Sequence, residues 1–483
     1  MSDFLPLIPT PPEFPLPEGT TVRVDDSATF IDRDLVSGGS PWRLLRLRGS
    51  SRAIVERWRT GGPVRAGEER FARTLVQQGF IHPQFDSPLS RDDIDVIVPV
   101  YGDVTALSSL LAQLAGYRVV VVDDGSRDSD AVDRCANERG ASVQRITTNR
   151  GPGHARNVGA SVTTGKYLWF IDVDVSLRDA DRVARHLQSA FNDPLVAAVA
   201  PRVHGADGPS LREHFECRFG PLDMGSHSSL VVPGSTLAYV PSACLMVRRD
   251  AYGDGFDTSL RVGEDVDFVW RLYDQGWLVR YDATVEVAHP ARSTWREWWQ
   301  QRSRYGASSG ELAKRHGTRL APLRADSWTV VAWSSVLIGR PALGARIVSG
   351  ARRQAREKFF ASEDNPNEAA DQVVTRNMVR AGGPLARATV RTFGIVLLLC
   401  ALHPRLRTRA LGLFLVGSAW RWRHEQFHPT DVPFAMADDL AYGTGVIRGA
   451  WRARSSQSLT PHITKSKIGL REILGLPTGT TSN

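Results

Sequence analysis

Cysteine is scarce in this chain, four residues in 483. Cys135, Cys217, Cys244 and Cys400 lie far apart and form no C-x-x-C pair. That spacing argues against a disulfide framework and a zinc site, and it fits a reducing cytosol. Long hydrophobic runs are missing too. The most apolar stretches, 393–402 and 411–420, have ten residues each, about half of what a membrane-spanning helix needs. The mean hydropathy of −0.23 excludes a polytopic membrane protein. No internal repeat is visible, and no Gly-Lys-Ser/Thr phosphate loop occurs. Met1-Ser2-Asp3-Phe4 leads into a proline-rich segment without the basic and apolar regions of a signal peptide, so a cytoplasmic location is expected.

What is present is globular. Hydrophobic residues make up 42%, charged residues 23% and aromatics 8%, which excludes wholesale disorder, collagen and coiled coil. The length suggests about three domains. The net charge of +8 is unevenly spread. Residues 1–90 carry 11 basic and 11 acidic side chains, net 0; residues 319–483 carry 23 and 11, net +12; the middle carries 26 and 30, net −4. A basic tail suits an anionic membrane surface, on the inner face of the cell membrane, or an arginine-rich solvated face. A DNA-binding front end needs a basic footprint that residues 1–90 lack, so no nucleic-acid partner is expected.

Four segments are expected. Residues 1–20 form a proline-rich arm. Residues 21–85 read as a small α/β module. Thr21-Val22-Arg23-Val24 is a strand, and a Gly38-Gly39-Ser40-Pro41 turn precedes Trp42 to Leu47. Helical stripes run through Ala53, Ile54, Val55 and Trp58, and through Phe71, Ala72, Leu75 and Val76, the second ended by Gly79. A strand followed by two helices suggests a winged-helix-like unit. After a polar linker at 83–92, residues 92–318 alternate strand-like runs (95–100, 119–122, 167–171) with helices expected at 105–115 and 154–161. Such continuous apolar runs imply a parallel sheet covered on both faces, an α/β fold. Ligands of such sheets bind beyond the strand carboxyl ends, where this chain places its acidic clusters. Residues 319–483 are helical by pattern. The runs 393–402 and 411–420, separated by His403-Pro404-Arg405-Leu406-Arg407-Thr408-Arg409, suit a shallow hairpin, two interfacial helices or two core helices. The last twelve residues read as a frayed tail.

Several clusters carry chemistry. Asp172-Val173-Asp174 follows an apolar strand, and two carboxylates on such a turn can converge on one hard divalent cation, Mg²⁺ or Mn²⁺. The metal then neutralises charge as a diphosphate leaves. Asp123-Asp124-Gly125-Ser126 ends an earlier strand; its carboxylates suit a base N–H or a helix cap. Asn149-Arg150-Gly151-Pro152-Gly153-His154-Ala155-Arg156-Asn157 is a glycine-rich loop entering a helix, with backbone N–H groups and guanidinium groups for a diphosphate. Gly263-Glu264-Asp265-Val266-Asp267 opens a helix; Asp265 suits a general base or the helix dipole. His289 follows an apolar run and suits a metal ligand, a diphosphate contact or a structural role. The segment from Trp295 to Gly306 interleaves aromatics with arginine, as sugar stacking and phosphate pairing require, and as a helix with an aromatic core stripe also does.

Taken in order, Val98-Pro99-Val100-Tyr101, Asp123-Asp124-Gly125-Ser126, Asn149 with Arg156-Asn157, Asp172-Val173-Asp174 and Gly263-Glu264-Asp265 make residues 95–317 resemble the family 2 glycosyltransferases of the GT-A fold. Gln301-Arg302-Ser303-Arg304-Tyr305 is similar to the Gln-x-x-Arg-Trp signature of processive members, with Tyr305 in place of Trp. The front module resembles PqqD-like peptide-recognition domains through its glycine turn, Leu44-Leu45-Arg46-Leu47 and Gly79-Phe80-Ile81. With that front module the whole chain is similar to the glycosyltransferases of the mycofactocin system, which move glucose from a UDP-sugar to a peptide-derived redox-cofactor precursor and build a short β-1,4-glucan.

The resemblance implies roles. A nucleotide sugar binds through Asp124, with Asp123, Pro99 and Tyr101 nearby. Asp172, Asp174 and His289 hold Mg²⁺ or Mn²⁺, and Arg156 and Arg304 neutralise the leaving diphosphate. Asp265, with Glu264 beside it, deprotonates the acceptor hydroxyl, which attacks with inversion. Gln301 and Tyr305 line the acceptor chain. Pathway proteins are implied partners of the front module. The rival readings are a nucleotidyltransferase, a transferase for cell-envelope polysaccharide or lipid, a peptide-binding adaptor and a DNA-binding regulator.

Overall fold

The computed structural model describes residues 14–464 and Ile473, apart from 32–33, 41, 48, 207, 293 and 362–364. The predicted arm before residue 14, Pro41 of the predicted turn and the final residues other than Ile473 lie outside the described residues. An eight-stranded sheet forms the centre. Its strands lie in the order Ser229–Leu230, Leu278–His289, Val196–Gly205, Cys244–Arg248, Tyr167–Ile171, Ile94–Val100, Arg118–Asp124 and Ser142–Ile146. Six run the same way; Cys244–Arg248 and Ser229–Leu230 are antiparallel to their neighbours.

Residue alternation explains why the valine-rich runs fold this way. Val119, Val121, Val96 and Val98 join one hydrophobic cluster, while Val120, Val122 and Ile97 join another. Both faces are therefore covered, as continuous apolar strands demand. The expected helices form at Val104–Gln113 and Pro152–Ser161. Together they give the GT-A arrangement of an α/β core followed by a helical region.

At the front, Thr21–Val24 pairs antiparallel with Ile81–Gln84, enclosing a three-stranded meander and the helices Ser51–Arg59 and Glu69–Gln77. The linker read at 83–92 thus begins later, because Pro83 and Gln84 pair with Val22 and Thr21; edge pairing makes no demand for apolar side chains. The front unit shares its core with the sheet. Leu16, Val22, Trp58 and Phe80 belong to the same cluster as Val196 and Leu278. Arg73 adds a buried two-pronged ion pair with Asp193, at 2.8 and 2.9 Å.

The helical region packs on the long helix Trp295–His316 mainly through Val432–Ala453. Glycine makes this approach possible: a Cβ at Gly445 or Gly449 would collide with the Ser303 or Ala307 carbonyl, and one at Gly310 with that of Gly449. Buried Arg302 reinforces the contact through Glu216 and through Asp438 at 2.8 Å. Among the described residues no single helix is long and apolar enough to cross a membrane.

Candidate active site at the carboxyl edge of the sheet

The predicted motifs lie along the carboxyl edge of the parallel strands. Pro99 is buried in its strand beyond Ile97, the last residue paired with Tyr167–Ile171, so its missing N–H costs no bond on that side. Tyr101 follows that strand and is 57% exposed. Asp124 is spent on the neighbouring loop: Oδ1 accepts from the Arg150 N–H at 2.8 Å and Oδ2 from the Gly151 N–H at 2.7 Å. Gly125, at φ 81°, lets that loop approach, since a Cβ there would lie 2.8 Å from the Asn149 nitrogen. Asp123 Oδ1 accepts from the Ser126 N–H at 2.9 Å. Its Oδ2 is buried without a hydrogen-bond partner among the described residues, an open acceptor of the kind buried polar groups rarely leave unused.

The acidic turn is set by backbone contacts. The Asp172 N–H donates to the Ala243 carbonyl at 2.8 Å, and Ser176 exchanges hydrogen bonds with Ala288. These bring Asp174 Oδ1 to 3.3 Å from His289 Nε2 and its Oδ2 to 3.8 Å from Arg292. Burial works against charge on both, yet their mutual contact holds His289 above its ordinary value and Asp174 below. Asp172 instead accepts from Arg156 Nη2 at 2.6 Å. The three predicted ligands supply hard carboxylate oxygens and an imidazole, a donor set that fits Mg²⁺ or Mn²⁺. As arranged they are neighbours: no group of three or more His, Cys, Asp or Glu converges on one point among the described residues. Arg156, His289 and Arg292 balance the charge of the turn.

Arg156 is 2% exposed, stacks over Phe256 and reaches Glu264 Oε1 at 3.1 Å with Nη1. It therefore joins the acidic turn to the helix Glu264–Asp274, and its hydrogen-bond partners are carboxylates. Asn157 fixes the adjoining loop, accepting from the Phe256 N–H at 2.9 Å and the Tyr252 hydroxyl at 2.6 Å. Gly263, left-handed at φ 87°, begins the helix; a Cβ there would lie 2.9 Å from Leu312 of the long helix. Glu264 is buried, whereas Asp265 is half-buried. Burial raises both carboxyls, each against the charge of Arg156. The neighbouring charge of Asp265 adds to the rise at Glu264, and that of Asp172 to the rise at Asp265. Backbone N–H groups of Val266 and Ser242 also restrain Asp265.

On the long helix, Gln301 Nε2 donates to the Tyr305 hydroxyl at 3.2 Å, and both side chains are half-buried. Gln301 and His289 line one small pocket, and Tyr305 feels the charge of Asp265 and Asp172. Arg304 is exposed and makes no ion pair among the described residues. Arg302 is the buried arginine of the segment. Sequence reasoning passed over Arg292, three residues beyond His289, and Tyr239, which feels Asp265, Tyr305 and Tyr442. Arg292 had a visible signal, a cation just after the strand-end histidine; Tyr239 had none.

Comparison with known proteins fits this geometry. Residues 95–256 match the glycosyl transferase family 2 model, and residues 179–351 match the glycosyl transferase family group 2 model. The pre-mycofactocin glycosyltransferase of Mycobacterium tuberculosis is 33% identical over 474 residues, covering 93% of this chain and 98% of that protein. The succinoglycan biosynthesis protein ExoO of Rhizobium meliloti is 29% identical over 197 residues, 36% of this chain and 53% of that protein. Among solved structures, a mannosyltransferase from Pyrobaculum calidifontis, in complex with GDP-Man and Mn2+, aligns with 76% of this chain and 90% of its own at 17% identity and a TM-score of 0.44. With its strand-end carboxylates in order and a relative matched along nearly its whole length, the chain belongs to the family 2 glycosyltransferases, akin to the pre-mycofactocin glycosyltransferase.

Proposed function

We propose that the protein is an inverting hexosyltransferase that moves glucose from a UDP-sugar to a peptide-derived redox-cofactor precursor of the mycofactocin type, building a short β-linked chain. The observation that carries this reading is Asp265. Its half-buried carboxylate opens a helix at the sheet's carboxyl edge, beside the charge of Asp172 and with Glu264 and Arg156 behind it.

Asp123 Oδ2 accepts an N–H of the donor base, and Asp124 holds the Arg150–Gly151 loop that walls the base site. Asp174 and His289, with Asp172 adjacent, are the residues that would hold Mg²⁺ or Mn²⁺, whose chemistry is to neutralise diphosphate charge. Arg292 and Arg304 face that charge from the protein side. Arg156 is a positioning residue that donates to Asp172 and Glu264 and holds both carboxyl groups in place. Asp265 takes the acceptor proton, so the oxygen attacks the anomeric carbon opposite the leaving diphosphate and one displacement inverts the centre. Tyr305 and Gln301 hold the acceptor sugar. The front unit at 21–85 presents the peptide part, as the resemblance to PqqD-like modules suggests.

Incubation with several nucleotide sugars and a mycofactocin precursor peptide, read by nucleoside-diphosphate release and by mass, tests the reading. Hexose increments on one aglycone are expected. Pyrophosphate release would replace it with nucleotidyl transfer.

A further inference from the structure

The helices Gly394–Ala401 and Arg407–Glu425 form a hairpin whose inner side is anchored. Phe414 is buried against Gly394, and Arg421 reaches Glu425 at 3.1 Å and pairs with Asp439 of the neighbouring helix. The outer side is apolar and open to water, and the exposed tip carries Leu402 and Leu406 among arginines. Leu402 is 73% exposed, Leu399 61%, Leu415 59% and Val416 54%, and every residue from 402 to 409 is exposed. Exposed apolar clusters of this kind mark interaction surfaces.

The charge around the patch selects the partner. Residues 393–424 contain five arginines and no acidic residue. Arg405, Arg407 and Arg409 sit in the exposed tip, and Arg423 is exposed further along. A second copy of this chain would bring the same positive charge to the contact, whereas an anionic bilayer offers acyl chains beneath negative headgroups. We propose that the hairpin tip docks the enzyme on an anionic membrane by shallow insertion into one leaflet. Depth follows from length: the eight residues of Gly394–Ala401 rise about 12 Å as a helix, against roughly 30 Å of hydrocarbon core. The leucines enter the acyl boundary while the arginines remain at the headgroups.

The test is co-sedimentation of the full chain with phosphatidylcholine vesicles, with or without phosphatidylglycerol, at low and high salt. Pelleting is expected with the anionic vesicles at low salt. Leu399→Glu with Leu402→Glu should abolish it. Arg405→Gln, Arg407→Gln and Arg409→Gln together should weaken it on the order of 100-fold. These surface positions lie outside the transfer site, so nucleoside-diphosphate release in solution should be unchanged, which keeps membrane docking separable from the catalytic reading. No pelleting with anionic vesicles at low salt, or pelleting that survives both variants, overturns the proposal.

Discussion

Arg156 donates from Nη2 to Asp172 Oδ1 at 2.6 Å while its Nη1 reaches Glu264 Oε1 at 3.1 Å. One buried cation therefore joins a strand-end turn to the start of a helix that lies 108 residues beyond the arginine in sequence. Removing one partner of such an arrangement leaves a buried charge uncompensated, at a cost of about 3–5 kcal/mol. Arg156→Met should destabilise the fold by about that amount. Adding Glu264→Gln should recover part of the loss, because a neutral amide no longer needs the cation. Denaturant titration of both variants checks this. A single variant of near wild-type stability would mean that Arg156 acts on a ligand instead.

The two strand-end aspartates should separate cleanly. Asp123 offers an unpaired buried oxygen, whereas both oxygens of Asp124 hold backbone N–H groups. Asp123→Asn should raise the KM for donor with little change in thermal stability. Asp124→Asn places an amide NH₂ against a backbone donor, which should cost about 1–3 kcal/mol and loosen the Gly151 loop. Donor titration and melting curves on both variants distinguish a binding group from a scaffold group.

Asp265 must be ionised to accept a proton, and burial raises its pKa, with Asp172 adding to the rise. The acid limb of kcat against pH should therefore lie above the ordinary carboxylate range. Asp265→Asn should lower kcat by about 10²–10⁴-fold with donor KM nearly unchanged. The same shift makes a stability statement. A carboxyl raised in the folded state contributes most below its unfolded pKa, and that contribution is lost as pH rises through the folded value. Asp265→Asn should therefore increase stability at neutral pH while removing turnover. Loss of donor binding without loss of kcat would recast Asp265 as a ligand.

Much of the site was legible because its residues sit at strand ends, where an apolar run stopping at Asp123 or Asp172 is visible in the chain itself. Val119 to Val122 announced a buried strand by composition alone. Val196–Gly205 did not, since alanine supplies half its first six residues and has little strand preference. The partnership of Arg156 with Glu264 was hidden, because nothing local joins a glycine-loop arginine to a distant helix start. The Arg302 and Arg304 positions show the limit of a motif. Their order in the sequence is alike, but helix geometry buries the first against Glu216 and exposes the second.

Chain growth should depend on Tyr305. Its hydroxyl accepts from Gln301 at 3.2 Å, and burial pushes its pKa up to about 12, so it stays neutral throughout the working range. The next residue, Gly306, packs against the Tyr442 carbonyl so closely that a Cβ would clash, which leaves the helix no room to slide. Tyr305 is therefore a fixed aromatic face near Asp265 and can hold a terminal sugar while the next donor loads. Tyr presents less stacking area than Trp, so short chains of several sugars are expected and not a long polymer. Tyr305→Ala should shift products toward one or two sugars with the first transfer less affected. Tyr305→Phe keeps the ring and should keep the length distribution. Arg304→Ala should slow every transfer alike, because diphosphate charge must be neutralised each time. Product-length profiles at matched first-step turnover decide the matter; equal slowing of all steps by both alanine variants would assign Tyr305 to the fold or the donor and remove it from elongation.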